Sequence, residues 1–205
     1  MALGQLTFES LRETEDRLRN RISASTIGNA EANAIVLKHH YLHRKRTSGQ
    51  QLSYGIFLDG EMVGVLIYAS PTFHHKKGLI PPLKQGEVVE LARMWLSDKA
   101  PKHSETCALG KTLKQLRTDW QRKYDIILKV VISFSDLEFG YEGTIYKAAN
   151  FVNYGFALLA RYANSGQKYS RTDEGWGAGH YAGKSQTHSA PRIGNTKQIW
   201  LYTWN

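Results

Sequence analysis

Apolar positions along this chain alternate between a helical and a strand period, and the switches mark its elements. From Leu6 to about Ile22, Leu11, Leu18 and Ile22 recur amid alternating charges, a helical spacing with a narrow apolar stripe. Such a helix either docks on its own domain or makes a dimer contact. Gly28-Asn29 signals a turn, and Ala30–His40 reads as a helix carrying Ile35, Val36 and Leu37. The run YGIFLDGEMVGVLIYASP then places Asp59-Gly60 between two β-rich segments, a hairpin signal. Glu87–Leu96 reads as the central strand and Glu105–Arg122, starting near Ser104, as the helix after it. Ile126, Leu128, Val130 and Ile132 alternate through Tyr124–Phe134, which predicts a strand. Gly143–Asn150 reads as a short helix, and Phe156–Tyr162 and Gln198–Trp204 as strands.

Two stretches carry neither period. Phe73–Gln85, FHHKKGLIPPLKQ, reads as an irregular basic loop. Residues 164–197 are rich in Gly, Ser, Thr and His, include GWGAGHYAG, and have little power to build a core. They form either a mobile loop or a ligand-facing one. No internal repeat or linker interrupts the chain. The expected architecture is α/β, a single domain over 1–205 with a mixed central sheet flanked by helices. Residues 1–25 form an N-terminal helical extension, and 164–197 a loop-rich insertion before the last strand.

Composition narrows the class. The 205 residues are 41% hydrophobic and 22% charged, ordinary for a globular domain with one good core. No apolar run approaches the roughly 20 residues that span a bilayer, so no membrane is expected. The start, MALGQLTFESLRETED, lacks the basic and apolar segments of a signal peptide, and the expected location is the cytoplasm. The single cysteine, Cys107, excludes an internal disulfide and a thiolate-rich zinc site, and its apolar neighbours suggest a small core residue. A net charge of +9 attracts polyanions, nucleic acid first. Aromatic residues at 11%, Trp120, Trp176, Trp200 and Trp204 among them, suit base stacking but fill cores far more often.

Candidate chemistry falls in four places. The densest polar cluster is His39–Arg46, HHYLHRKR. His40 and Tyr41 are candidate site residues there. His43, Arg44, Lys45 and Arg46, with Lys76 and Lys77, are candidates for phosphate contacts. His39 and His43 stand at i, i+4, a spacing that binds a metal on a continuing helix; with no HExxH-type carboxylate, no metal is assigned. In Glu90-Leu91-Ala92-Arg93, alternation puts Leu91 and Arg93 on one face of the central strand and Glu90 and Ala92 on the other. Arg93 serves either as a clamp on substrate or as an internal ion pair. At the end of the next strand stand Ser133, Ser135 and Asp136, followed by Tyr146; strand C-terminal ends are where open α/β sheets place ligands. Asp136 reads as a general base or a helix cap, and Tyr146 as a proton donor or core packing.

The fourth place is Gly86–Leu116, a strand, a Pro-marked loop and a helix, whose pattern resembles the core motif of the acetyltransferase-like (GNAT) superfamily. The superfamily loop runs R/Q-x-x-G-x-G/A, whereas here it reads Glu105-Thr106-Cys107-Ala108-Leu109-Gly110. The resemblance implies an acyl-coenzyme A-type donor, held by Lys102, His103, Ser104, Gly110 and Lys111. Glu105 weakens that expectation, because like charges at about 4 Å cost on the order of 1–4 kcal/mol. The donor is therefore left unassigned.

Taken in order, His40-Tyr41, the hairpin, ELARMWLSDKAPKHSE, SFSDLEFGYEGTIYKAANF and the late motif TIYKAANF, with Asn150 where a glycine is usual, resemble the Mom family of phage DNA-modification proteins over about Ala34 to Tyr162. The resemblance implies a GNAT-like fold that places a carbamoylmethyl (acetamido) group on adenine N6 in duplex DNA. It implies protection of phage DNA from host restriction, in the bacterial cytoplasm. By motif correspondence His40, Tyr41, Arg93, Asp136 and Tyr146 are the site residues, with Ser135 beside them. An N-acyltransferase acting on a protein or small amine is the competing reading, and it requires coenzyme A binding. A non-enzymatic nucleic-acid-binding module, resting on charge and aromatics, is the third.

Overall fold

The hairpin forms where its turn residues demand it. Asp59 and Gly60 both take positive φ, 50° and 90°, the pair of left-handed residues that a two-residue hairpin turn requires. They join β2 (Gln51–Leu58) to β3 (Glu61–Ala69) in antiparallel register. This computed structural model describes residues 17–47, 49–71, 83–84, 86–137, 140–156, 160–161, 192–193 and 197–204. Around the hairpin lie β1 (Ile22–Ile27), β4 (Val88–Leu96), β5 (Val130–Asp136), β6 (Val152–Phe156) and β9 (Lys197–Thr203). They form a seven-stranded sheet in the order β1-β2-β3-β4-β5-β9-β6. The short pair β7 (Ala160–Arg161) and β8 (Arg192–Ile193) stands apart. Only β4 and β5 pair in parallel; every other neighbour in the seven-stranded sheet is antiparallel.

Helices cover both faces. Helix α2 (Ser104–Tyr124) crosses over between β4 and β5, and buries Ala108, Leu109, Leu113, Leu116 and Trp120 on the main core with Tyr54, Leu66, Tyr68 and Leu91. Cys107 packs at the rim of this core, as a small apolar residue would. Helix α1 (Asn29–His39) lies on the opposite face, where Ala32 and Val36 meet Val65 and Ile67 of β3. Helix α3 (Thr144–Ala148) follows β5. Asn150 then turns the chain at φ 61°, a left-handed position that asparagine tolerates better than other side chains do, so it can replace the expected glycine.

Several boundaries differ from the sequence reading. Residues 17–21 are helical, but Ile22 already begins β1, an edge strand that alternation did not reveal because its face pattern is mostly polar. Leu18 and Ile22 both belong to the main core, so this end of the extension docks on its own sheet. Helix α2 runs through Tyr124, and β5 starts at Val130; Ile126 and Leu128 pack from the connecting loop instead of a strand. The strand expected at Phe156–Tyr162 begins earlier, at Val152, and residues 157–159 lie outside the described residues. Most of Phe73–Gln85 and of 164–197 also lies outside them.

Candidate active site

The site is set by where two strands part. Parallel pairing of β4 with β5 covers Val88–Glu90 against Val130–Ile132 and goes no further, so the C-terminal halves of both strands diverge. A gap at the C-terminal ends of parallel strands is a ligand position general to open sheets. Register also shifts within β4: Leu91 lies opposite Tyr68 and Arg93 opposite Ile67, which leaves Ala92 as an extra residue. The bulge overturns simple alternation. Leu91 packs in the main core beneath α2, whereas Arg93 lies across from Ile67, on the face that α1 covers.

Arg93 ties the central strand to the segment after α1. Its Nη1 donates to Ala92 O at 2.5 Å and its Nε to Arg44 O at 3.1 Å. Both of these acceptors are backbone carbonyls, which fix the guanidinium in position.

His40 caps α1 in an extended conformation, its N–H donating to Val36 O at 3.0 Å. The ring is 5% exposed, and Leu42 N–H donates to its Nδ1 at 3.1 Å. A backbone amide can only donate, so Nδ1 is unprotonated and the ring proton sits on Nε2. Burial, helped by the proximity of Arg93 and then His43, lowers the His40 pKa to about 4. The imidazole is therefore neutral at pH 7 and presents a donor. Tyr41 stacks on it with ring centroids 4.5 Å apart.

From α3, which follows β5, comes Tyr146, buried against Trp200 and Phe151. Burial pushes its hydroxyl up to about 12; the neighbouring Ser133 opposes this, while Tyr41 and Glu90 add to it. Tyr146 packs on the α2 side of the sheet, whereas Tyr41 follows the end of α1. The buried carboxylate of Glu90 stands at the last position of β4 that pairs with β5. Alternation from Val130 and Ile132 places Asp136 on the face away from α2, as Arg93 is, and its Oδ2 lies 3.5 Å from Lys197 Nζ.

The fold thus brings His40, Tyr41 and Arg93 together at the end of α1, while Tyr146 packs in the core on the α2 side and Asp136 lies at the far end of β5. It corrects others. Ser135 Oγ accepts from Trp200 Nε1 at 2.9 Å and donates to Gln198 Oε1 at 3.2 Å, so its hydroxyl is occupied in holding β9 to β5. Arg46 is buried: its Nη2 donates to Ser70 O, its N–H to Asn33 Oδ1 at 2.6 Å, and its carbonyl accepts from Asn33 Nδ2 at 2.9 Å. It braces α1 to β3 and is no phosphate contact. Arg44 and Lys45 are exposed. His43 takes φ 44° and its Nδ1 donates to Leu37 O at 3.0 Å. Because α1 ends at His39, which stacks on Trp95, the i, i+4 pair of histidines never shares a helix face. Lys76 and Lys77 lie outside the described residues.

The start of α2 does not fit a pyrophosphate. Glu105 occupies its first turn, Ser104 is buried with its Oγ and N–H both donating to Pro101 O, and Cys107 N–H is taken by His103 O. An acidic side chain already complements this positive helix end. Lys102 and His103 are exposed before it, but Gly110 and Lys111 lie within the helix, where Gly110 cannot offer a loop amide. No helix among the described residues is long and apolar enough to cross a membrane.

One residue beside these candidates has no role in the sequence reading. Tyr141, in the loop after β5, is 49% exposed and its ring lies 5.7 Å from that of Tyr41. The signal was present: an aromatic between Gly140 and Gly143 at a strand's C-terminal end.

Comparison with known proteins agrees with this architecture. Methylcarbamoylase mom of Escherichia phage Mu is 31% identical over 140 residues, 67% of this chain and 55% of that protein, so the match spans about half of the relative's length. Among solved structures, aminoglycoside acetyltransferase AAC(6')-Ib in complex with coenzyme A superposes with a TM-score of 0.52 at 9% identity, over 89% of this chain and 94% of that one. Its complex with coenzyme A and kanamycin gives the same TM-score, identity and coverage. At such identity these two show the fold alone, the GNAT acetyltransferase fold. The Mom protein family model matches residues 21–198, from the start of β1 to the last strand. The chain belongs to the Mom protein family.

Proposed function

We propose that this protein is a transferase that modifies adenine in duplex DNA, placing a carbamoylmethyl group on the N6 amine. The observation that supports the reading is the family match, together with His40 stacked on Tyr41 and Arg93 hydrogen-bonded to the segment that follows them, beside the strand ends where β4 and β5 part. The methylcarbamoylase name of the phage Mu relative supports the chemistry, and the net charge of +9 supports a nucleic-acid substrate.

The reaction forms a bond from N6 to the methylene carbon of the donor, breaks the bond from that carbon to its leaving group, and releases one N6 proton. Adenine N6 is conjugated with its ring and paired within the duplex. The base must therefore leave the stack, at a cost of a few kcal/mol. Exposed Arg44 and Lys45 are suited to hold flanking phosphates. Arg93 supplies a fixed cation for the amide oxygen of the transferred group, and the Nε2–H of His40 a second, uncharged donor. Asp136 accepts the N6 proton. The donor's leaving group is not assigned, since the start of α2 fits a coenzyme A pyrophosphate poorly. An N-acyltransferase acting on a protein or small amine shares the fold but needs that pyrophosphate site. Modified phage DNA would resist host restriction, and the protein would act in the bacterial cytoplasm.

Plasmid recovered from bacteria expressing the protein tests this reading. It should resist restriction enzymes whose sites contain adenine, and Arg93→Ala should restore cutting. Plasmid cut to completion with the wild-type protein present would overturn it.

A further inference from the structure

We infer that Tyr141, paired with Tyr41, forms an aromatic platform on which an extruded nucleobase stacks. The two rings arrive from separate parts of the chain, Tyr41 from the end of α1 and Tyr141 from the loop after β5, yet their centroids lie 5.7 Å apart at 47°. Each is 49% exposed. Tyr41 is backed on one side by the buried ring of His40, so it cannot turn inward. Tyr141 is pinned by its N–H to Asp136 O at 3.2 Å, and the left-handed Gly140 before it, φ 75°, lets the chain turn back on the strand end. The segment is thus built to hold a ring out at the mouth of the gap.

The occupant follows from what surrounds the rings. Exposed Arg44 and Lys45 follow Tyr41 closely, and the whole chain carries +9. A planar aromatic group on a polyanionic chain matches both features, and a nucleobase on its phosphate backbone has both. The inference rests on the proposed DNA reaction for its purpose, but its binding prediction stands separately. Tyr141 acts here as a positioning residue.

The test is fluorescence anisotropy with a labelled oligonucleotide of deoxyadenosines and a length-matched abasic strand. The wild-type protein should bind the adenine strand about tenfold more tightly than the abasic one. Tyr141→Ala should lose most of that preference while binding the abasic strand unchanged. Tyr141→Phe should keep it, because the ring and not the hydroxyl carries the contact. Equal melting temperatures for the three proteins exclude unfolding as the cause. A preference retained by Tyr141→Ala, or absent from the wild type, overturns the platform; the second result would suit an apolar protein partner instead. If base preference depends on Tyr141 but no modified adenine forms in DNA, the platform stands and the proposed reaction falls.

Discussion

His40 shows how a residue is tuned by its surroundings. Its imidazole is buried beside Arg93 and His43 and accepts an amide hydrogen, and each effect disfavours the protonated ring. Its folded pKa, about 4, lies below the unfolded value of 6.5. The unfolded chain therefore takes up the proton first as pH falls. The stability this site contributes is complete above pH 6.5 and is lost as pH drops towards 4, by on the order of 3 kcal/mol. Denaturation at pH 7 and pH 4.5 should show a larger loss for wild type than for His40→Gln; equal losses would contradict the assignment. Arg46 is a second case. HHYLHRKR reads as one exposed basic cluster, but the backbone of Arg46 is clasped by Asn33, thirteen positions earlier, and that long-range contact leaves no local signal. Arg46→Ala should destabilise the fold by about 2 kcal/mol through lost charge-assisted hydrogen bonds. DNA affinity of the folded fraction should be unchanged, as read by denaturant titration and binding on the same preparation.

At the scale of elements, the site depends on two local departures from regularity. One is the bulge at Ala92, which turns Arg93 towards α1. The other is Gly143, φ 77°, which begins α3 with the Trp200 ring packed where a Cβ would sit. Gly143→Ala adds left-handed strain to that overlap and should cost about 2–5 kcal/mol. Near-universal retention of stability, measured by urea denaturation, would show that the α3 entry is pliable. Elements with strong local signals were legible: Asp59-Gly60 fixed the hairpin, and the apolar stripe fixed α2. Elements decided by tertiary contacts were not. Strand β1 exists because β2 offers it an edge, and the alternation at Ile126 and Leu128 serves a loop packed against the core. A bulge is equally silent, because one inserted residue leaves the residue pattern unchanged while it reverses the faces beyond it. His40, Tyr41, Arg93 and Tyr146 are candidates through motif correspondence with the family, since their motifs keep its order and spacing. Tyr141 was passed over because an exposed loop aromatic carries no period.

For the whole molecule, an excess of nine positive charges would make the proposed association with DNA electrostatic at long range. Affinity for duplex should fall as salt rises, and Arg44→Ala should lower the slope of log affinity against log salt by about 1. An unchanged slope would remove Arg44 from the phosphate contacts. Beyond binding, the account stands or falls on the gap between β4 and β5 as a place of chemistry. The most direct measurement is mass spectrometry of nucleosides from DNA of cells expressing the wild-type protein, Arg93→Ala or Asp136→Asn. Deoxyadenosine bearing one added carbamoylmethyl group should appear with the wild type, and fall at least tenfold with either variant. Its absence from the wild type, or its full retention in both folded variants, would contradict the account.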